Sequence, residues 1–133
     1  MKVVGCFLEY DNKFVIVHRL PHKVDGNTWG LPSGKVEHGE SDEDAVRREL
    51  FEETGYLADF SEFELLGQHD FVSPRGDTVT YTSFRVALND LHDVTIEEAA
   101  HSEYKWVTVS EADSMDNLIH GLHDLFRLVG YIK

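Results

Sequence analysis

Three glutamates on one short stretch are the chemically loaded part of this chain. Between Gly34 and Tyr56 it reads GKVEHGESDEDAVRRELFEETGY. Wound as a helix at about 100° per residue with Ala45 at zero, Glu52, Glu49 and Glu53 fall at about 340°, 40° and 80°. The three carboxylates share one arc, and Val46 and Leu50 form an apolar edge beside it. Like charges at such spacings repel, by about a few tenths of a kcal/mol per exposed pair and by more when partly buried. A solvated acidic surface tolerates that repulsion, whereas a hard divalent cation with oxygen ligands removes it. Magnesium commonly takes a few carboxylates and keeps places for water and substrate phosphates. The glycine-rich turn ahead of the helix lets backbone approach the same place, so the Gly34 carbonyl is a further candidate ligand.

The spacing is more specific than the charge. Gly34 is followed after five residues by Glu40, after seven more by Arg48-Glu49-Leu50, and then by Glu52-Glu53 and Gly55. This pattern resembles the Nudix box, and all seven fixed positions of that box are filled here. At ordinary residue frequencies a chance match at one start site is on the order of 10⁻⁸ to 10⁻⁹. One position departs: the box closes on Tyr56, where the family prefers Ile, Leu or Val. That is a packing position, so a local adjustment is expected and no loss of catalysis. Trp29-Gly30-Leu31-Pro32 ahead of the box and Trp106-Val107 near the end are similar to family landmarks.

The resemblance implies roles for individual residues. Glu49, Glu52 and Glu53 are expected to bind Mg2+, with Mn2+ as a substitute, assisted by the Gly34 carbonyl. Arg48 and Glu40 are expected to pair and to orient those carboxylates. The implied reaction is attack of water on phosphorus, with cations neutralising charge on the leaving phosphate. The bond cut is a phosphoanhydride in a nucleoside diphosphate linked to another moiety, and a nucleoside triphosphate is the first expectation.

Glu49 or Glu52 is the expected base inside the box. Outside it, the acidic stretch offers Glu97, Glu98, His101 and Glu103. His101 stands five residues before Trp106, a spacing that resembles the base of Nudix enzymes acting on GDP-mannose. Those enzymes have a degraded box and this box is intact, so a nucleotide-sugar hydrolase is the alternative. A nucleotide-binding sensor that has lost hydrolysis is another, weakened because no box glutamate is missing. Phe71, Tyr81 and Phe84 are candidates for stacking on a base, and Arg19, Lys23, Lys35 and Arg75 for phosphate or sugar contacts.

The elements that must position these groups read as one α+β domain over residues 1–133, and the resemblance implies an α/β/α sandwich with a mixed sheet between helices. Val3–Tyr10 and Phe14–His18 alternate around Asp11-Asn12-Lys13 as a hairpin. Trp29–Gly34 is dense in turn formers. Ser41–Thr54 is the clearest helix, with Ser41 as N-cap, an acidic first turn and Gly55 as the stop. Strands are expected at Phe63–Val72, Thr78–Leu88 and Tyr104–Thr108, with Asn89–Ser102 as a polar acidic loop. A short helix follows from Ser110, and Leu118, Leu122, Leu125, Phe126 and Val129 mark one face of a C-terminal helix.

The formal net charge of −13, from 25 acidic and 12 basic residues, argues against a grip on duplex nucleic acid through phosphate neutralisation. An acidic enzyme still binds polyphosphates when divalent cations sit between the two negative partners. No apolar run reaches the length of a membrane span and the start lacks a secretory pattern. Cys6 is alone, so the expectation is a core thiol in a reducing compartment, the cytoplasm. A small-molecule nucleotide is the expected partner, and a homodimer is left open.

Overall fold

The computed structural model describes residues 1–133. Strands β1 (Lys2–Tyr10) and β2 (Lys13–Arg19) form the expected hairpin. Asp11 and Asn12 turn it with φ of 50° and 68°; two positive values match the twist of the flanking strands, and Asp and Asn tolerate them. The strands pair only beside this turn, Glu9 with Phe14 and Tyr10 with Lys13, and then splay apart.

The stretch ahead of the helix fills that opening. Strand β3 (Trp29–Gly30) pairs with β2 and β4 (Ser33–Lys35) pairs with β1. Between them the Cys6 N–H donates to the Pro32 carbonyl at 3.0 Å. Two- and three-residue strands are too short to show a period, so their sequence reads as turns. Gly34 is therefore held in the sheet rather than in a free loop.

Strands β5 (Glu64–Val72), β6 (Thr78–Ala87) and β7 (His101–Val107) complete the sheet. Its order is β3-β2-β1-β6-β5, with β4 also on β1 and β7 also on β2. The central pair β1–β6 is parallel and the other pairs are antiparallel.

Alternation along the strands sends side chains to two cores. On one face Val4, Cys6, Leu8, Val15 and Val17 meet Ala45, Val46 and Leu50 of α1 (Asp42–Thr54). On the other, Phe7, Phe14 and Ile16 meet Ala112 of α2 (Val109–Asp113) and Leu122, Leu125 and Phe126 of α3 (Leu122–Leu128). This is the expected sandwich. Burying one such Leu, Ile or Phe contributes about 1.5–3 kcal/mol, which fixes both layers. Helix α1 has the expected ends: the Asp44 N–H donates to Ser41 Oγ at 3.0 Å, and Gly55 at φ 78° sends its N–H to Phe51 O at 2.8 Å. The C-terminal helix is shorter than expected. Gly121 at φ 90° stands at its start, and Leu118 lies before it in a bridge to Trp29. No helix is long and apolar enough to cross a membrane.

Candidate active site

Helix α1 turns its glutamates toward β4. Glu53 is only 3% exposed and its Oε2 accepts the Ser33 N–H at 3.0 Å. Glu49 lies over Gly34, where a β-carbon would stand 2.2–2.5 Å from the Glu49 carboxyl atoms. A side chain at position 34 would displace that carboxyl from its place. The two carboxyls also face each other. Burial first, and then Glu49 beside it, push the Glu53 carboxyl well above the usual carboxylate range. Burial raises Glu49 as well, opposed by Arg48. Two carboxyls packed in this way need a proton or a cation between them. Glu52 sits at the rim with its side chain 43% exposed.

Arg48 organises the polar side of the same helix. Its Nε and Nη2 donate to the two Glu40 oxygens at 2.8 and 2.9 Å, its Nη1 to Glu49 Oε1 at 2.7 Å, and its Nη2 also to the Lys35 carbonyl at 3.2 Å. Glu52 Oε2 is 3.5 Å from Nη1. The hydrogen bonds from Arg48 hold the Glu40 carboxyl down at about 2. The forked contact with Glu40 fixes the guanidinium plane, and that plane then sets where Glu49 points.

The donor chemistry suits a hard divalent cation. It consists of carboxylate oxygens and the Gly34 backbone, with a surplus of negative charge that is partly out of water. As the side chains stand, no three His, Cys, Asp or Glu groups converge on one point. Glu97 lies near enough to add to the rise at Glu53.

His101 is not in an exposed polar loop. Strand β7 starts there, ahead of the expected Tyr104, and the residue is 3% exposed with Nε2 3.4 Å from Glu53 Oε1. A register shift between His18 and Arg19 lets Arg19 pair with His101. The run His101-Ser102-Glu103 shows no apolar alternation because the two residues after His101 are exposed.

A cleft of about 470 Å³ reaches this face through Ser33, Gly34 and Lys35. Of the candidate substrate contacts, Phe71, Tyr81, Arg19, Lys35 and Arg75 line it. Phe84 does not: it is 2% exposed and packs edge-on against Phe63 in the α1-side core. Lys23 is exposed and lies outside the lining. Leu31, Ile119 and His120 also line the cleft, and local pattern gives no sign of them. They come together because Trp29 exchanges backbone bonds with Asn117 and Ile119 at 2.9 and 2.8 Å.

Residues 1–128 match the family profile of the NUDIX domain. The chain belongs to the Nudix hydrolase family. An RNA pyrophosphohydrolase from Bartonella clarridgeiae is 30% identical over 138 residues, covering 86% of this chain and 79% of that protein. Phosphatase NudJ from Escherichia coli (strain K12) is 26% identical over 116 residues, covering 86% and 72%. The crystal structure of a MutT protein from Methanosarcina mazei Go1 matches with a TM-score of 0.80 at 24% identity, over 98% of this chain and 93% of that one. This Nudix hydrolase accommodates its unusual Tyr56 at the edge of the core. The ring packs edge-on against His92, and the hydroxyl donates to Glu62 Oε1 at 2.7 Å, pinning the short turn of 3₁₀ helix at Phe60–Glu62.

Proposed function

We propose that this Nudix hydrolase, a single catalytic domain, cleaves a phosphoanhydride bond in a nucleoside triphosphate, using Mg2+ with Mn2+ as a substitute. The observation that carries the reading is the packing of Glu49 on the bare backbone of Gly34, with Glu53 held beside it by the Ser33 N–H, where a cleft opens through Ser33 and Gly34. Glu49, Glu52, Glu53 and the Gly34 carbonyl would hold the cation. Once bound, it neutralises charge on phosphate oxygens and makes attacking water easier to deprotonate. Arg48, clamped by Glu40, holds Glu49 in one direction. Glu49 or Glu52 takes the proton from water as it attacks phosphorus. Phe71 and the aliphatic wall shelter the base, while Arg19 and Lys35 meet phosphate or sugar oxygens. The buried, unpaired Cys6 fits a reducing compartment, and we assign the enzyme to the cytoplasm.

The nucleotide-sugar alternative rests on His101, which is buried and outside the cleft lining. A relative named as an RNA pyrophosphohydrolase adds a triphosphate-ended RNA to the substrates worth testing. The test is incubation with magnesium and a panel of nucleoside triphosphates, oxidised deoxynucleotides, dinucleotides, nucleotide sugars and a 5′-triphosphorylated oligonucleotide, with products identified by mass. Magnesium-dependent cleavage of a nucleoside triphosphate is the expected result. Turnover confined to nucleotide sugars or to the oligonucleotide would replace the substrate, and no turnover of any member would favour a sensor.

A further inference from the structure

His101 is the buried polar residue that the proposed chemistry leaves without a task. Backbone fixes it. It pairs with Arg19 across β2, its N–H donates to the Glu97 carbonyl at 2.9 Å, and the neighbouring Ala100 carbonyl accepts the Leu20 N–H at 3.0 Å. The ring is enclosed, with Nε2 3.4 Å from Glu53 Oε1 and Nδ1 buried without any partner. The remaining Glu53 oxygen, Oε2, already takes the Ser33 N–H.

Those contacts select a tautomer. When a cation keeps Glu53 ionised, a proton on Nε2 can be donated to the carboxylate, whereas a proton on Nδ1 would meet nothing and leave two lone pairs facing each other. The separation is long for a finished hydrogen bond, and a small side-chain rotation closes it. A buried ring outside the cleft lining is poorly placed to take a proton from water.

We propose that His101 is a positioning residue for Glu53: its Nε2–H holds Oε1 while Ser33 holds Oε2, so that the carboxylate presents one fixed face to the divalent cation. This rests on Glu53 being a cation ligand, as proposed above. Groups that orient ligands in this way typically change metal affinity by about 10- to 100-fold.

The experiment uses the whole chain and Mn2+ as the probe, with free Mn2+ measured by electron paramagnetic resonance and the fold by circular dichroism. His101→Leu removes the donor and is expected to weaken Mn2+ binding at least tenfold, and hydrolysis lost at limiting metal should return as metal is raised. His101→Gln, whose amide N–H reaches a similar depth, should bind Mn2+ within about threefold of wild type. Nitrogen-15 shifts of His101 in the Mg2+-loaded wild-type protein should report the Nε2–H tautomer, a readout that stands even if the leucine variant fails to fold. Unchanged Mn2+ affinity in His101→Leu, an Nδ1–H tautomer, or a rate loss that neither metal nor glutamine restores would each overturn the inference. If wild-type protein itself binds no Mn2+, the metal reading of the site fails first and takes the inference with it.

Discussion

Two clefts of similar size lie at the two ends of β1; Arg85 and Glu9 line the first, whereas Arg48 and its glutamates stand outside the lining of the second, next to Gly34. The one by the hairpin turn holds about 440 Å³ and the one by Gly34 about 470 Å³. At the turn end Arg85 Nε lies 3.3 Å from Glu9 and 3.1 Å from Glu64, and the Tyr131 hydroxyl donates to Glu9. The Arg85 side chain is 37% exposed and that of Glu64 64%, so water screens the contact and such a pair is worth about 0–1 kcal/mol. At the Gly34 end one arginine meets Glu40, Glu49 and Glu52, and Glu53 adds a fourth carboxyl out of water. Cleft volume does not separate the two places. Carboxyl groups crowded together out of water do.

The largest test of that difference is activity. Glu53→Gln is expected to lower hydrolysis at least about 100-fold with the fold intact, because it removes the charge of a proposed cation ligand, needed as phosphate charge develops. Glu9→Gln, which carries the same chemical change at the other cleft, should stay within about threefold. Near wild-type turnover for Glu53→Gln at saturating magnesium would erase the distinction.

Stability in magnesium comes next. A cation that binds only the native state adds about 2.7 kcal/mol at a hundredfold excess over its Kd, which a thermal melt reads as several degrees. Glu9→Gln should keep that gain and Glu53→Gln should lose most of it, with sodium at matched ionic strength doing much less in every case. Equal gains in sodium and magnesium would reduce the effect to screening of the −13 charge.

The smallest effect is in acid. Arg48 holds Glu40 down from 4.5 to about 2. A depressed carboxyl contributes stability that is fully present above the unfolded value and lost as pH falls toward the folded one. Glu40→Gln should therefore cost about 1–2 kcal/mol at pH 7, and the gap from wild type should close between pH 4.5 and 2. Glu64→Gln, on the exposed partner of Arg85, should cost under about 0.5 kcal/mol at pH 7. Urea midpoints across pH measure both, and equal costs would make the two arginine clusters alike.

What the sequence discloses follows from range. Helix α1 is legible because Ser41, the 3.6-residue period and Gly55 all act within a few residues of each other, whereas the Arg48–Glu40 contact, which reaches out of the helix across eight residues, is expected only through the resemblance to the Nudix box. The β1–β2 hairpin announces itself through Asp11-Asn12. Strands β3 and β4 are hidden by their shortness, and their role in seating Gly34 depends on the later splaying of β1 from β2. His101 is misread because its burial comes from Glu53 and a register shift far away in sequence, while its immediate neighbours are polar. Phe84 is misread for the reverse reason: aromatic character alone does not say which face of β6 meets the core.

The parallel pairing of β1 with β6 sets an order of events during synthesis. Cys6 lies beside Phe84 in that pair, so β1 leaves the ribosome long before the strand that covers its edge. Until then Val4, Cys6 and Leu8 flank an unpaired row of backbone donors and acceptors, an open template for another chain. Pairing across so much sequence is also slow compared with forming α1. A nascent or truncated chain that stops before Thr78 therefore carries every box residue and is expected to aggregate before it can hydrolyse anything.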